Sequence, residues 1–115
     1  MMFGYLATPY TLYPKGLEAA FALACNEAGL FADAGIPIFS PIAMCHPISV
    51  IYGLDPTDHK IWLPFIEPFM QAASYLVVLE AEGWRDSYGI KVEMAAFEVA
   101  KKPILRMKPG ILPDL

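Results

Sequence analysis

The stretch that most constrains this chain is Tyr75-Leu76-Val77-Val78-Leu79, an unbroken apolar run with the length and β-branched content of a strand buried on both faces. The sequence changes character directly after it. Gly83-Trp84-Arg85-Asp86-Ser87-Tyr88-Gly89 supplies turn residues and two good N-caps, Asp86 and Ser87. From Gly89 the apolar positions Ile90, Met94, Phe97 and Ala100 then recur at a period near 3.6. The pattern predicts a strand, a turn and a helix over 86–101. The start of that helix offers free N–H groups to an anion, and Glu93 lies one turn beyond Gly89 on the same face.

The remaining segments repeat this alternation. Residues 2–7 read as a short apolar strand stopped by Thr8-Pro9. Leu17, Ala20, Phe21, Ala24, Ala28 and Phe31 mark a helix over 17–34, with Glu18, Asn26, Glu27 and Asp33 elsewhere on its wheel and Gly35 ending it. Residues 36–40 read as a second strand. Residues 41–59, with Pro41, Pro47, Gly53 and Pro56, read as irregular, with a short helix near 48–52. Asp58 can cap a helix bearing Trp62, Phe65, Phe69 and Met70, which Pro64 and Pro68 are expected to kink or shorten. Residues 103–107 read as the last strand. Alternating strands and helices predict one three-layer α/β domain over 1–115, Rossmann- or flavodoxin-like, with a four- to five-stranded, mainly parallel sheet in the order 2-1-3-4. A ligand is then expected at the switch point between strands one and three, where Ala7 to Tyr10 and Gly83 to Gly89 meet.

Composition narrows the function. A net charge of −4 with 8 Lys and Arg gives no basic surface for polymeric nucleic acid. No apolar stretch reaches the length of a membrane span, and residue 1 leads into a strand without the look of a signal peptide, so a cytoplasmic protein is expected. Cys25 and Cys45 have neither disulfide-framework nor zinc spacing, and Cys25 is expected to be a small core residue. Cys45 and His46 are adjacent, which disfavours a catalytic pair because neighbours in a chain rarely point at each other. No metal and no cofactor are expected. A hydrophobic fraction of 57% and a mean hydropathy of +0.44 are high for a chain this small, so a homodimer or homotetramer is expected, with its interface on Trp62 to Met70 and on Pro41 to Tyr52.

Several segments carry a family likeness in their order and spacing. Tyr5-Leu6-Ala7-Thr8-Pro9-Tyr10, Phe39-Ser40-Pro41, His46-Pro47-Ile48, Trp62, Gly83-Trp84-x-x-Ser87-x-Gly89 with Glu93, then Ala96 and Lys102-Pro103, resemble the nucleoside 2-deoxyribosyltransferase superfamily, which includes the deoxynucleoside 5′-monophosphate N-glycosidases. The resemblance is closest to short bacterial and phage members and spans residues 3–105. It implies cleavage or transfer at the N-glycosidic bond of a small-molecule nucleoside or nucleotide, with Glu93 as nucleophile and Tyr5 in contact with it. Ser87 and the Gly89 backbone would bind a 5′-phosphate. Thr8, Pro9, Asp86 and His46 complete the expected binding set.

The same comparison shows a departure. Related enzymes carry an aspartate near the start of the third strand, where this chain has Ala73-Ser74-Tyr75. Glycosidic cleavage needs a general acid for the departing base, and Glu67, Asp86 and His46 are the substitutes at hand. His46 reads equally well as a loop histidine bonded to backbone, Glu80 and Glu82 as solvated loop residues, and Trp62, Trp84 and Tyr88 as stacking or core aromatics. A nucleotide-binding or regulatory module that keeps the pocket without the chemistry is the alternative.

Overall fold

The computed structural model describes residues 2–115. In chain order they form β1 (Gly4–Ala7), α1 (Leu17–Asp33), β2 (Ile38–Phe39), α2 (Pro41–Tyr52), α3 (His59–Ala72), β3 (Tyr75–Leu79), α4 (Tyr88–Val99) and β4 (Ile104–Met107). The four strands make one all-parallel sheet, β2-β1-β3-β4. This is the expected Rossmann- or flavodoxin-like order, with β1 and β3 at its centre.

Alternate side chains of the central strands feed two cores, as the pleat requires. Tyr5, Ala7, Leu76 and Val78 point to one face, where Trp62, Ile66 and Met70 of α3 and Ile90 and Phe97 of α4 cover them. Leu6, Val77 and Leu79 point to the other, where Phe31 of α1 and Met107 of β4 close the layer. Gly35 ends α1 with φ +73°, and the Ile36 N–H bonds the Phe31 carbonyl at 2.8 Å, a Schellman-type end.

Several expectations need correction. Residues 41–52 are a continuous helix rather than irregular chain: Ser40 accepts from the Ala43 N–H, Pro41 occupies the first turn where its missing N–H costs nothing, and Gly53 ends the helix at φ +94°. α3 runs unbroken for 14 residues through Pro64 and Pro68. Cys25 is exposed, and Glu27 is buried. Trp62 and Met70, expected at an interface, are buried in the chain's own core, whereas Phe65 on the same helix is exposed, and the Trp62 indole donates to the Asp55 carbonyl at 2.9 Å. Glu80, only 11% exposed, pairs with Lys108 at 3.1 Å rather than standing free in a loop. Among the described residues no helix is long and apolar enough to cross a membrane.

Candidate active site

A cavity of about 270 Å³ opens at the carboxyl ends of β1 and β3, where an open parallel sheet places its ligand. One wall comes from the segment after β1, with Thr8 and Tyr10, and from Cys45 and His46 of α2. The opposite wall is Asp86, Ser87, Tyr88 and Gly89, with Glu93 one turn further along α4. Trp62 and Ile66 of α3 give it an apolar side, and at the rim the His59 and Tyr88 rings lie 4.7 Å apart.

The turn that leads into α4 is built to approach the first wall. Gly83 has φ +88°, and a Cβ there would stand 2.8 Å from the Leu12 carbonyl oxygen, so only glycine fits. Ser87 then caps α4 by accepting from the Ile90 N–H at 3.2 Å. The Ile90 and Lys91 N–H groups are taken by Ser87, which leaves those of Tyr88 and Gly89, two cavity-lining residues, as the donors for an anion.

Glu93 is buried, 5% exposed, and its carboxyl is held protonated up to about 8 because burial penalises its charge, with the Tyr5 hydroxyl opposing that rise. Tyr5 has no solvent exposure and its phenol is pushed far up, first by burial and then by the neighbouring Glu93. The Tyr5 hydroxyl faces the carboxyl without reaching good hydrogen-bond geometry, so it is left without a well-formed partner. Thr8 Oγ1, also buried, has none either. Two orphaned buried hydroxyls at one strand end are unusual in a folded protein and suit a site completed by a ligand. Cys45 stands close enough to feel the Glu93 charge, and burial followed by that charge pushes its thiol to about 11. It is therefore an uncharged, small lining group at neutral pH.

His46 is buried at 5% exposure and bonded at both ring nitrogens. Nδ1 lies 2.6 Å from the Tyr10 hydroxyl and Nε2 lies 2.8 Å from Glu18 Oε2. Phe21 stacks on the imidazole at 4.5 Å, fixing its plane. The Tyr10 phenol is pushed up to about 12, mainly by burial and then by Glu18.

The structure brings together most of the residues expected from the sequence. Thr8, His46, Asp86, Ser87, Gly89 and Glu93 all line the cavity; Tyr5 lies behind Glu93, and Pro9 is buried outside the lining. His46 is a helix residue whose partners are side chains, not the backbone. Its nitrogens are taken by Tyr10 and Glu18, so it makes no pair with Cys45. Glu67 is exposed, bonded to Gln71, and does not line the cavity. Sequence reasoning placed Tyr10 at the ligand end of β1 but missed its bond to His46, and it missed Glu18 altogether, because no spacing rule links positions this far apart. Among the described residues no three His, Cys, Asp or Glu side chains are grouped to hold a metal ion.

Residues 3–109 match a family described as a domain of unknown function, DUF1937, and the chain belongs to that family. No curated protein matches the sequence.

Proposed function

We propose that this DUF1937 domain binds a small-molecule nucleoside or nucleotide and breaks or transfers its N-glycosidic bond, with Glu93 as the attacking carboxylate. The observation that carries the reading is a buried carboxyl beside an orphaned tyrosine hydroxyl, in the same cavity as the open start of α4. A positive charge developing at the anomeric carbon would draw Glu93 into its ionised form and stabilise the oxocarbenium-like transition state. The Ser87 hydroxyl and the α4 N–H groups would take a 5′-phosphate, and Thr8 Oγ1 a sugar hydroxyl. Trp62 and Tyr88 offer flat surfaces to the base. The order of motifs resembling nucleoside 2-deoxyribosyltransferases supports the same reading.

One observation favours the second reading, a binding module without chemistry: burial holds Glu93 protonated at neutral pH. Incubating the protein with the deoxynucleosides and their 5′-monophosphates, and measuring free base by chromatography, decides between the two. Base release supports the enzyme. Saturable binding with no release supports the module.

The chain is also proposed to act as a homodimer or homotetramer in the cytoplasm. Ile48, Val50, Ile51 and Tyr52 leave a group of apolar side chains exposed at the end of α2. Light scattering is expected to give at least twice the chain mass of 12.7 kDa, and Ile51→Asp to shift it to the single-chain value.

A further inference from the structure

We propose that Tyr10, resupplied with protons by His46 and Glu18, is the proton donor to the departing base. The inference rests on the glycosidic reading above and names the general acid that reading lacks.

The three side chains form one continuous path from solvent to the cavity wall. Glu18 is 81% exposed, His46 is 5% exposed, and Tyr10 lines the cavity with its hydroxyl 2.6 Å from Nδ1. Each junction is a hydrogen bond between side chains on different elements: α1, α2 and the segment after β1. Burial requires partners at both ring nitrogens, and here those partners link an exposed carboxylate to a residue of the cavity wall. Phe21 stacks on its ring, so the imidazole cannot turn freely away from either.

The direction of the Tyr10 hydroxyl depends on His46. When the imidazole is neutral with its proton on Nε2, that N–H donates to Glu18, Nδ1 accepts the tyrosine proton, and the phenol oxygen offers the cavity only an acceptor. When the ring is protonated, both nitrogens donate. The phenol oxygen then accepts from Nδ1–H, and its own O–H is free to donate into the cavity.

The proposed step balances from there. Glu93 first gives up its proton to bulk water, and its carboxylate then forms a bond to the anomeric carbon as the bond from that carbon to the base nitrogen breaks, the electron pair of that bond leaving with the base. The Tyr10 O–H gives its proton to the base, and the Nδ1–H proton refills the phenol oxygen, leaving a neutral imidazole bonded to Glu18. Water or an acceptor hydroxyl then attacks the anomeric carbon and displaces Glu93 as carboxylate. The proton it sheds returns through the Tyr10 oxygen to Nδ1, restoring the imidazolium. Tyr10 is the catalytic acid; His46 and Glu18 are positioning residues that act through it.

The test compares leaving groups. Wild type, Tyr10→Phe, His46→Gln and Glu18→Gln are assayed on the deoxynucleosides and their monophosphates, and on p-nitrophenyl deoxyriboside, whose leaving group departs as a stable anion without a proton. Tyr10→Phe and His46→Gln are expected to lower base release roughly 100-fold or more while leaving nitrophenol release close to wild type, with Glu18→Gln intermediate. Equal losses on both substrates, or no loss on either, overturn the relay while the glycosidic reading stands. A wild type inert towards every substrate removes that reading, and the relay with it. Glu18 is exposed and Tyr10→Phe keeps the ring, so the result does not depend on His46→Gln folding.

Discussion

This small domain buries two glutamates to the same extent, and they have opposite surroundings. Glu27 and Glu93 are each 5% exposed. The carboxylate of Glu27, on α1, accepts the Gly110 N–H at both oxygens, at 2.9 and 3.1 Å, and so fastens the segment after β4 against the helix. Glu93, on α4, faces a cavity, a thiol and a phenol that does not complete a good hydrogen bond. Burial alone therefore does not mark a reactive acid. What distinguishes the two is whether a donor belonging to the fold already occupies the oxygens.

The sharpest way to break the comparison is to remove each acid in turn. Glu93→Ala is expected to lower base release at least about ten-thousandfold, with ligand binding still measurable, because a nucleophile contributes mainly in the transition state. Glu27→Ala is expected to leave the rate per folded molecule unchanged. A Glu93 variant with wild-type turnover would show that the two acids are alike.

A second test uses pH. The folded protein keeps the Glu93 proton up to about 8, whereas the ordinary carboxyl value is 4.5, so between these limits the folded state holds a proton that the unfolded chain has released. The contribution is fully present below 4.5 and is lost as pH rises through about 8. It amounts to on the order of 5 kcal/mol over the window at 1.4 kcal/mol per pH unit. Urea unfolding at a series of pH values is expected to show this decline in the wild type and a flatter profile in Glu93→Gln. Nitrophenol release by Tyr10→Phe, which needs no relay proton, should run the other way and rise as pH passes through about 8 and the Glu93 carboxylate forms.

The two smaller effects sharpen the contrast. Glu27→Ala leaves the Gly110 N–H without its acceptor and is expected to cost about 2 kcal/mol in urea unfolding, with faster amide exchange at Gly110. Ser87→Ala is expected to cost about 1 kcal/mol as a lost cap and to weaken a 5′-monophosphate more than the matching nucleoside in titration calorimetry. Equal weakening of both would remove the phosphate role.

The sheet order was legible because Tyr75 to Leu79 can only be a strand covered on both sides, and each crossover carried a helical period. Ser87 and Glu93 were legible because a cap and a carboxyl two turns apart keep fixed positions on one helix. α2 was not, since its apolar residues surround the helix on every side and its prolines mimic a loop. Glu27 did leave a signal. It sits three residues after Ala24 and four before Phe31, on the stripe that faces the core. The Glu18, His46 and Tyr10 chain left none, because it depends on how α1 and α2 meet rather than on any local pattern.

The sheet register also governs how the domain is made. Gly4 pairs with Ile38 on one side and with Tyr75 on the other, and β2 contributes only two residues. During synthesis β1 therefore emerges early with its main neighbour still unmade, and its apolar Tyr5, Leu6 and Ala7 stay without lasting cover until residue 79 has left the ribosome. Non-local parallel pairing of this kind is slow to form and exposed to self-association meanwhile. Yield in a cell should therefore depend on how fast the middle of the chain is translated, and slow codons ahead of β3 should lower it more than slow codons after it.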